Sequence, residues 1–369
     1  MKLNLKKLLS ISILLILSIW IVIFILLNIE EFKELTLTSP WLILILAGLF
    51  FIEYILVGMS IKVLLRPLFI DLGFAESSAV SFMTSFYNLI TPFKGGFAAR
   101  AVYLNRKHRF SYTDFVAAIS ANYIILFFTA GILGVIVTSI LFATKNTFQT
   151  AIFFLFLLII LISLSLIFFY RLIPYTKNKF LNYFIAIINS YYILRKDKKA
   201  ILLTFLISFL QLMVLSLILL VQFKIFGRNL SLLETLFLAS INTIGVIFAI
   251  TPAGLGVEET VTVFSALTLG IGPVTSLSAA LIGRAVSLII LIILGPIASY
   301  FLFRAKPYHQ RINPRKTESV EHAYKDLRKA YEKTKNLKEE FIHLKNKYSR
   351  KRKGVKVNFE SRFKRDFED

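Results

Sequence analysis

A chain of 369 residues, 57% of them hydrophobic with 36 Phe and a mean hydropathy of +0.73, has the composition of a polytopic membrane protein and excludes an ordinary soluble domain. It has no cysteine and four histidines, three of them in the polar C-terminal region, so disulfides and thiol chemistry are excluded and structural zinc lacks its usual ligands. The formal charge of +22 sits in a few loops and the C-terminal region; because Lys and Arg collect in cytoplasmic loops, it is read as topology rather than as nucleic-acid binding.

The first apolar run, residues 8–28, follows Lys2, Lys6 and Lys7. It is too long for the core of a signal peptide and lacks a small-residue cleavage site, so it is expected to be an anchor helix. Glu30, Glu31 and Glu34 then form an acidic loop expected outside, before a span at 41–65 that ends on Lys62 and Arg66. Residues 77–105 are apolar but broken at Ile90-Thr91-Pro92-Phe93-Lys94-Gly95-Gly96, and the basic cluster Arg106-Lys107-Arg109 follows. Spans are predicted at 113–143 and 148–170, an amphipathic interfacial linker at 174–189, and a further span at 200–224. A second broken segment, 231–270, is interrupted at Ile250-Thr251-Pro252-Ala253-Gly254-Leu255-Gly256 and leads to the last span, 273–303.

The two breaks match at an offset of 160 residues; after a two-residue slip Ala117-Ala118 falls on Ala279-Ala280 and Asn122 on Arg284. In hydrocarbon every backbone polar group needs a partner, so Pro/Gly breaks are tolerated only against protein or a wet cavity. Paired breaks in corresponding positions point to a transporter binding site. The basic clusters agree with one topology if both broken segments are re-entrant hairpins, the first opening to the cytoplasm and the second to the outside. The predicted fold is therefore an all-α polytopic membrane protein, an inverted repeat of helix, re-entrant broken hairpin, helix, plus a cytoplasmic C-terminal helix. Repeat one covers about 41–143 and repeat two about 200–303, within a membrane domain of residues 1–305. A plain bundle of full crossings is the alternative.

Residues 306–369 form a basic helical tail. Val320, Ala323, Leu327, Ala330, Thr334, Leu337, Phe341, Leu344 and Tyr348 fall on a and d of heptads, a pattern suited to weak self-association into a homodimer. The run Arg350-Lys351-Arg352-Lys353 suits an anionic lipid surface. Both termini are expected in the cytoplasm of a cell-membrane protein.

Ionisable residues inside a membrane are costly and so are functional candidates. Glu53 lies mid-span, Lys94 and Arg100 flank the first break, Glu258 and Glu259 follow the second, and Arg284 lies within the last span. Pro92 and Pro252 are the hinges. Gly95, Gly96, Gly254 and Gly256 would let backbone approach a ligand and open half-helices whose N–H groups favour an anion. Each has a structural alternative: Arg284 with Glu259 as a buried ion pair, Lys94 and Arg100 snorkelling to the interface, Glu53 paired with an Arg of a neighbouring helix.

These residues resemble the lysylphosphatidylglycerol synthase transmembrane-domain family, the flippase-like membrane proteins. Its first motif, approximately Pro-Gly-Arg-x-Gly-Glu-x-x-Arg, is approached by Pro92, Lys94, Gly96 and Arg100, with Phe93 and Phe97 replacing the Gly and the acid. Its second, approximately Pro-Gly-Gly-x-Gly-x-x-Glu with an Arg in the next span, is met by Pro252, Gly254, Gly256, Glu259 and Arg284, with Ala253 departing from it. The resemblance implies a stand-alone member without a soluble catalytic domain. It would translocate a lipid with a polar or anionic head group, a phospholipid or a polyprenyl-phosphate-linked glycan, through a cavity between the hairpins. No cofactor, metal or ATP-binding loop is expected, and no enzymatic activity. The alternatives are a membrane-embedded enzyme, or an accessory scaffold, acting on polyprenyl-phosphate or glycolipid substrates.

Overall fold

The computed structural model describes residues 30, 38–68, 70–91, 94–145, 149–168, 179–248, 251 and 254–304. The predicted span at 8–28, Glu31 and Glu34 of the acidic loop, Pro92, Phe93, Pro252, Ala253 and the tail at 306–369 lie outside the described residues. The described helices are α1 (Leu42–Leu65), α2 (Phe74–Ile90), α3 (Gly96–His108), α4 (Tyr112–Lys145), α5 (Thr150–Phe168), α6 (Lys179–Lys196), α7 (Lys198–Ile225), α8 (Leu232–Gly245), α9 (Val257–Leu267) and α10 (Pro273–Arg304).

Five of them, α1, α4, α5, α7 and α10, are long and apolar enough to cross a membrane. Phe154, Leu158 and Leu161 of α5 are exposed on a helix apolar all round, the surface a lipid solvent calls for. The helices beside the breaks are shorter, with 17, 13, 14 and 11 residues in α2, α3, α8 and α9. At a rise of 1.5 Å per residue even α2 reaches only ~26 Å, short of a ~30 Å hydrocarbon core. Local signals set their ends: Ser231 and Glu234 form a reciprocal capping box at the start of α8, and Asp197 accepts from Ala200 N–H at the start of α7.

The Thr38 N–H donates to Ile225 O at 2.9 Å, so α1 starts where α7 ends and the two are antiparallel. Leu42 and Leu46 accordingly share a core with Ile218, Val221 and Ile225. The broken pairs are seated crosswise. On α2, Phe82 packs with Leu291 and Ala298 of α10, and Phe86 lies so close to Gly295 that a Cβ there would sit 2.3 Å from its own Cβ. In the same way α8 places Leu236 and Phe237 in one core with Ala130, Val137 and Leu141 of α4. The first arm of each broken pair therefore rests on the closing span of the other repeat.

The start of α2 and the end of α3 meet at Glu76, 3.0 Å from Lys107 Nζ and 2.8 Å from His108 Nε2. That end of the bundle also carries the end of α10, where Phe303 meets Tyr103 edge-on and Leu302 packs with Leu64 and Leu65. At the opposite end, Gln149 Nε2 donates to Thr268 O, bringing the end of α9 beside the start of α5. The two pairs thus open at opposite ends, and their breaks face each other inside, where Lys94 Nζ donates to Val246 O at 2.9 Å.

The amphipathic segment expected at 174–189 is helical from Lys179 to Lys196, with 174–178 outside the described residues. It packs along α4, with Asn189 and Ser190 buried and Ser190 hydrogen-bonded to Asp114.

Candidate functional site

At the first break α2 ends on Thr91, whose extended backbone sends its N–H to Tyr87 O; the Thr91 hydroxyl bonds the same carbonyl. Lys94 follows with φ 53°, in the left-handed region. Gly96 starts α3 against α2: a Cβ there would lie 1.9 Å from Thr84 O, and its N–H donates to Asn88 Oδ1 at 2.8 Å. At the second break Gly254 and Gly256 hold φ +69° and +80°, and the Thr251 hydroxyl donates to Leu255 O. The Gly256 N–H donates to Glu259 Oε2 at 2.8 Å.

At each break one N–H at the start of the half-helix is already taken. A buried N–H must find a partner, and Asn88 and Glu259 supply it from within the chain for the N–H groups of Gly96 and Gly256. Gly96 permits a close approach to the neighbouring helix arm.

Arg284 joins α10 to α9. Its Nε donates to Glu259 Oε1 at 2.8 Å and its Nη2 to Glu258 Oε2 at 3.0 Å. The Glu259 side chain is 3% exposed and that of Arg284 13%, whereas that of Glu258 is 47% exposed. The geometry is the structural ion pair that the sequence left as one alternative, extended to a second carboxylate.

Where the breaks meet, a cavity of about 370 Å³ opens between α1, α2, α3, α4, α7, α8 and α9. Of the residues singled out from sequence, Glu53, Arg100 and Glu258 line it. Lys94, the glycines, Glu259 and Arg284 are not among the lining residues and form its frame. Asn88, Asn122, Gln211 and Asn242 also line it and were not proposed as site residues; amides midway along apolar segments are the signal that marks them. Three of these amides are held in place: Asn88 Oδ1 by the Gly96 N–H, Asn122 Oδ1 by Ser60, and Asn242 Oδ1 by Thr262 at 2.9 Å.

Arg100 does not snorkel. It is 7% exposed, its guanidinium lies over Phe97 at 5.1 Å and Phe115 at 5.3 Å, and its Nε has no hydrogen-bond partner. Lys94 does not snorkel either, being tied to Val246 and placed 5.6 Å from the Tyr123 ring centroid. Glu53 was weighed as the partner of an Arg; instead its Oε2 has no partner, while the adjacent Tyr54 bonds Ser287 at 2.8 Å. A buried guanidinium held only by ring faces, together with a bare carboxylate oxygen, is costly unless something fills the space between them.

At the mouth of the first broken pair, outside the five spans, Glu76 Oε1 accepts from the Tyr103 hydroxyl at 2.6 Å as well as from Lys107 and His108. Burial alone would push this carboxyl up, but the hydrogen bonds from His108, Tyr103 and Lys107 outweigh it and hold it down at about 2.

The fold is thus a membrane bundle with two broken helix pairs around a polar cavity. The sequence profile of the lysylphosphatidylglycerol synthase transmembrane region matches residues 8–295, and the chain belongs to that family. Membership places its function with membrane lipids. No curated protein gives a significant match to the chain.

Proposed function

We propose that this protein translocates a lipid with a polar or anionic head group across the cell membrane, passing the head group through the central cavity while the acyl chains stay in the bilayer. In this reading the α2–α3 and α8–α9 pairs are re-entrant from opposite faces. The end bearing Lys62, Arg66, Arg106 and Arg109 faces the cytoplasm, as the excess of basic residues there favours. The N- and C-termini share that side, and the tail meets anionic lipid. The protein acts as a carrier, without a covalent step.

The observation that carries the reading is Arg100, a buried cation facing the cavity with only aromatic rings against it. A lipid phosphate would give its fork the charge-assisted hydrogen bonds it lacks. Glu53 and Glu258 would meet hydroxyl or ammonium groups of the same head group. The test is a leaflet-exchange assay in vesicles containing the purified protein and a fluorescent phospholipid. Arg100→Gln should slow exchange at least tenfold while the protein stays folded; exchange at the parent rate would remove Arg100, and the reading built on it.

A further inference from the structure

The crosswise packing of the two repeats is broken at one seam. In repeat two, α9 lies along α10, closed by the Arg284 bridge to Glu258 and Glu259. The corresponding helices of repeat one, α3 and α4, barely meet. Their sequence accounts for this: at the offset of the two breaks Ala98 and Ala99 stand where repeat two has Glu258 and Glu259, and after the two-residue slip Asn122 stands where it has Arg284. The staple is missing, and the seam holds an apolar groove of about 340 Å³ lined by Phe97, Ala98, Tyr112, Phe115, Val116 and Ile119.

This groove adjoins the central cavity. Phe97, Phe115 and Ile119 also line the central cavity, and the first two are the rings that flank the Arg100 guanidinium. On its outer side Ala98, Tyr112 and Val116 are exposed. Two aromatic rings thus stand between an apolar surface groove and a buried cation with no carboxylate on it among the described residues. An acyl chain needs an apolar channel, since each methylene carried into a polar cavity is unfavourable; the phosphate at its head needs the cation.

We propose that the seam between α3 and α4 is a lateral portal in which an acyl chain of a glycerophospholipid lies while its phosphate reaches Arg100. The proposal rests on the reading that the cavity takes a phosphate-bearing lipid. The corresponding seam between α9 and α10 is stapled shut, so access from the bilayer is one-sided.

The test uses the full chain with a benzophenone amino acid at Val116, in vesicles of phosphate-free digalactosyl diacylglycerol with a minority of phosphatidylglycerol. The same probe at Phe154, exposed on α5, reports the bulk lipid ratio. Mass spectrometry of the adducts should show phosphatidylglycerol at Val116 enriched roughly tenfold over Phe154, the ratio that one charge-assisted contact supports. Arg100→Gln should return Val116 to the bulk ratio, and Ala98→Trp, which fills the groove without touching the charge, should also lower the enrichment. Equal ratios at Val116 and Phe154, or adducts of the Val116 probe to residues 8–28 of the chain itself, overturn the portal. Leaflet exchange measured in the same vesicles separates the two claims: enrichment without exchange keeps the portal and removes translocation, whereas exchange without enrichment does the reverse.

Discussion

Glu259→Gln is the substitution whose cost the structure sets most clearly. The change keeps an oxygen to accept the Gly256 N–H but removes the charge that Arg284 meets at 2.8 Å in a pair whose side chains are 3% and 13% exposed. Removing one member of a buried ion pair costs about 3–5 kcal/mol. Arg284 keeps Glu258 at 3.0 Å, so the lower end applies, ~3 kcal/mol. Glu258→Gln leaves the buried pair intact and loses a half-exposed one, which is worth about 0–1 kcal/mol. At roughly 2 °C per kcal/mol for a long chain, thermal unfolding in detergent should fall by ~6 °C for Glu259→Gln and by ~2 °C or less for Glu258→Gln. Equal shifts for the two variants, or no shift for Glu259→Gln, would show that this bridge does not hold α9 on α10.

Gly96→Ala puts a methyl group into Thr84 O and should destabilise by at least ~1–3 kcal/mol, whereas Gly48→Ala, with nothing within 4 Å, should be neutral or slightly stabilising on a thermal melt. Because Glu76 titrates at about 2 in the folded protein against an ordinary 4.5, its ionised form contributes stability that is complete above about pH 4.5 and lost as pH falls toward 2. The stability gap between the parent and Glu76→Gln should therefore be open at about pH 4.5 and close as pH falls toward 2; a gap that widens on acidification through that window would contradict the assignment. In this Cys-free chain, single cysteines at Arg109 and Lys199 should react from the cytoplasmic side, and those at Arg228 and Gly272 from outside. Gly272 is exposed beside the buried Ile271 and so suits the label; reaction of Arg228 and Gly272 from opposite sides would show that α8 and α9 cross the membrane.

The five spans were legible because length and hydropathy define them with little help from packing; 200–224 became Lys198–Ile225 and 273–303 became Pro273–Arg304. The two breaks were legible because Gly and Pro punctuate helices locally. Arg284 with Glu259 was legible because charges inside a membrane have few partners to choose from. What escaped depends on long-range geometry. That Phe97 replaces an acid is visible in the chain, but that both it and Phe115 lie against the Arg100 guanidinium follows only from the fold. The contact of Gly96 with α2 was hidden for a related reason: a glycine that lets backbone approach a ligand and one that lets it approach another helix look the same in one dimension.

The crosswise seating of the broken pairs bears on how the chain is made. Phe86 leaves the ribosome more than two hundred residues before Gly295, the position it packs against. During synthesis α2 and α3 must wait, with one face uncovered, until α10 has been inserted. Contacts so distant in sequence are closed late and at a high entropic cost. A nascent chain stalled before residue 273 would hold α1, α4, α5 and α7 in the bilayer but leave the first broken pair without its seat. Such a chain should be recognised by membrane quality control as unfinished, and supplying the second repeat as a separate polypeptide should rescue it.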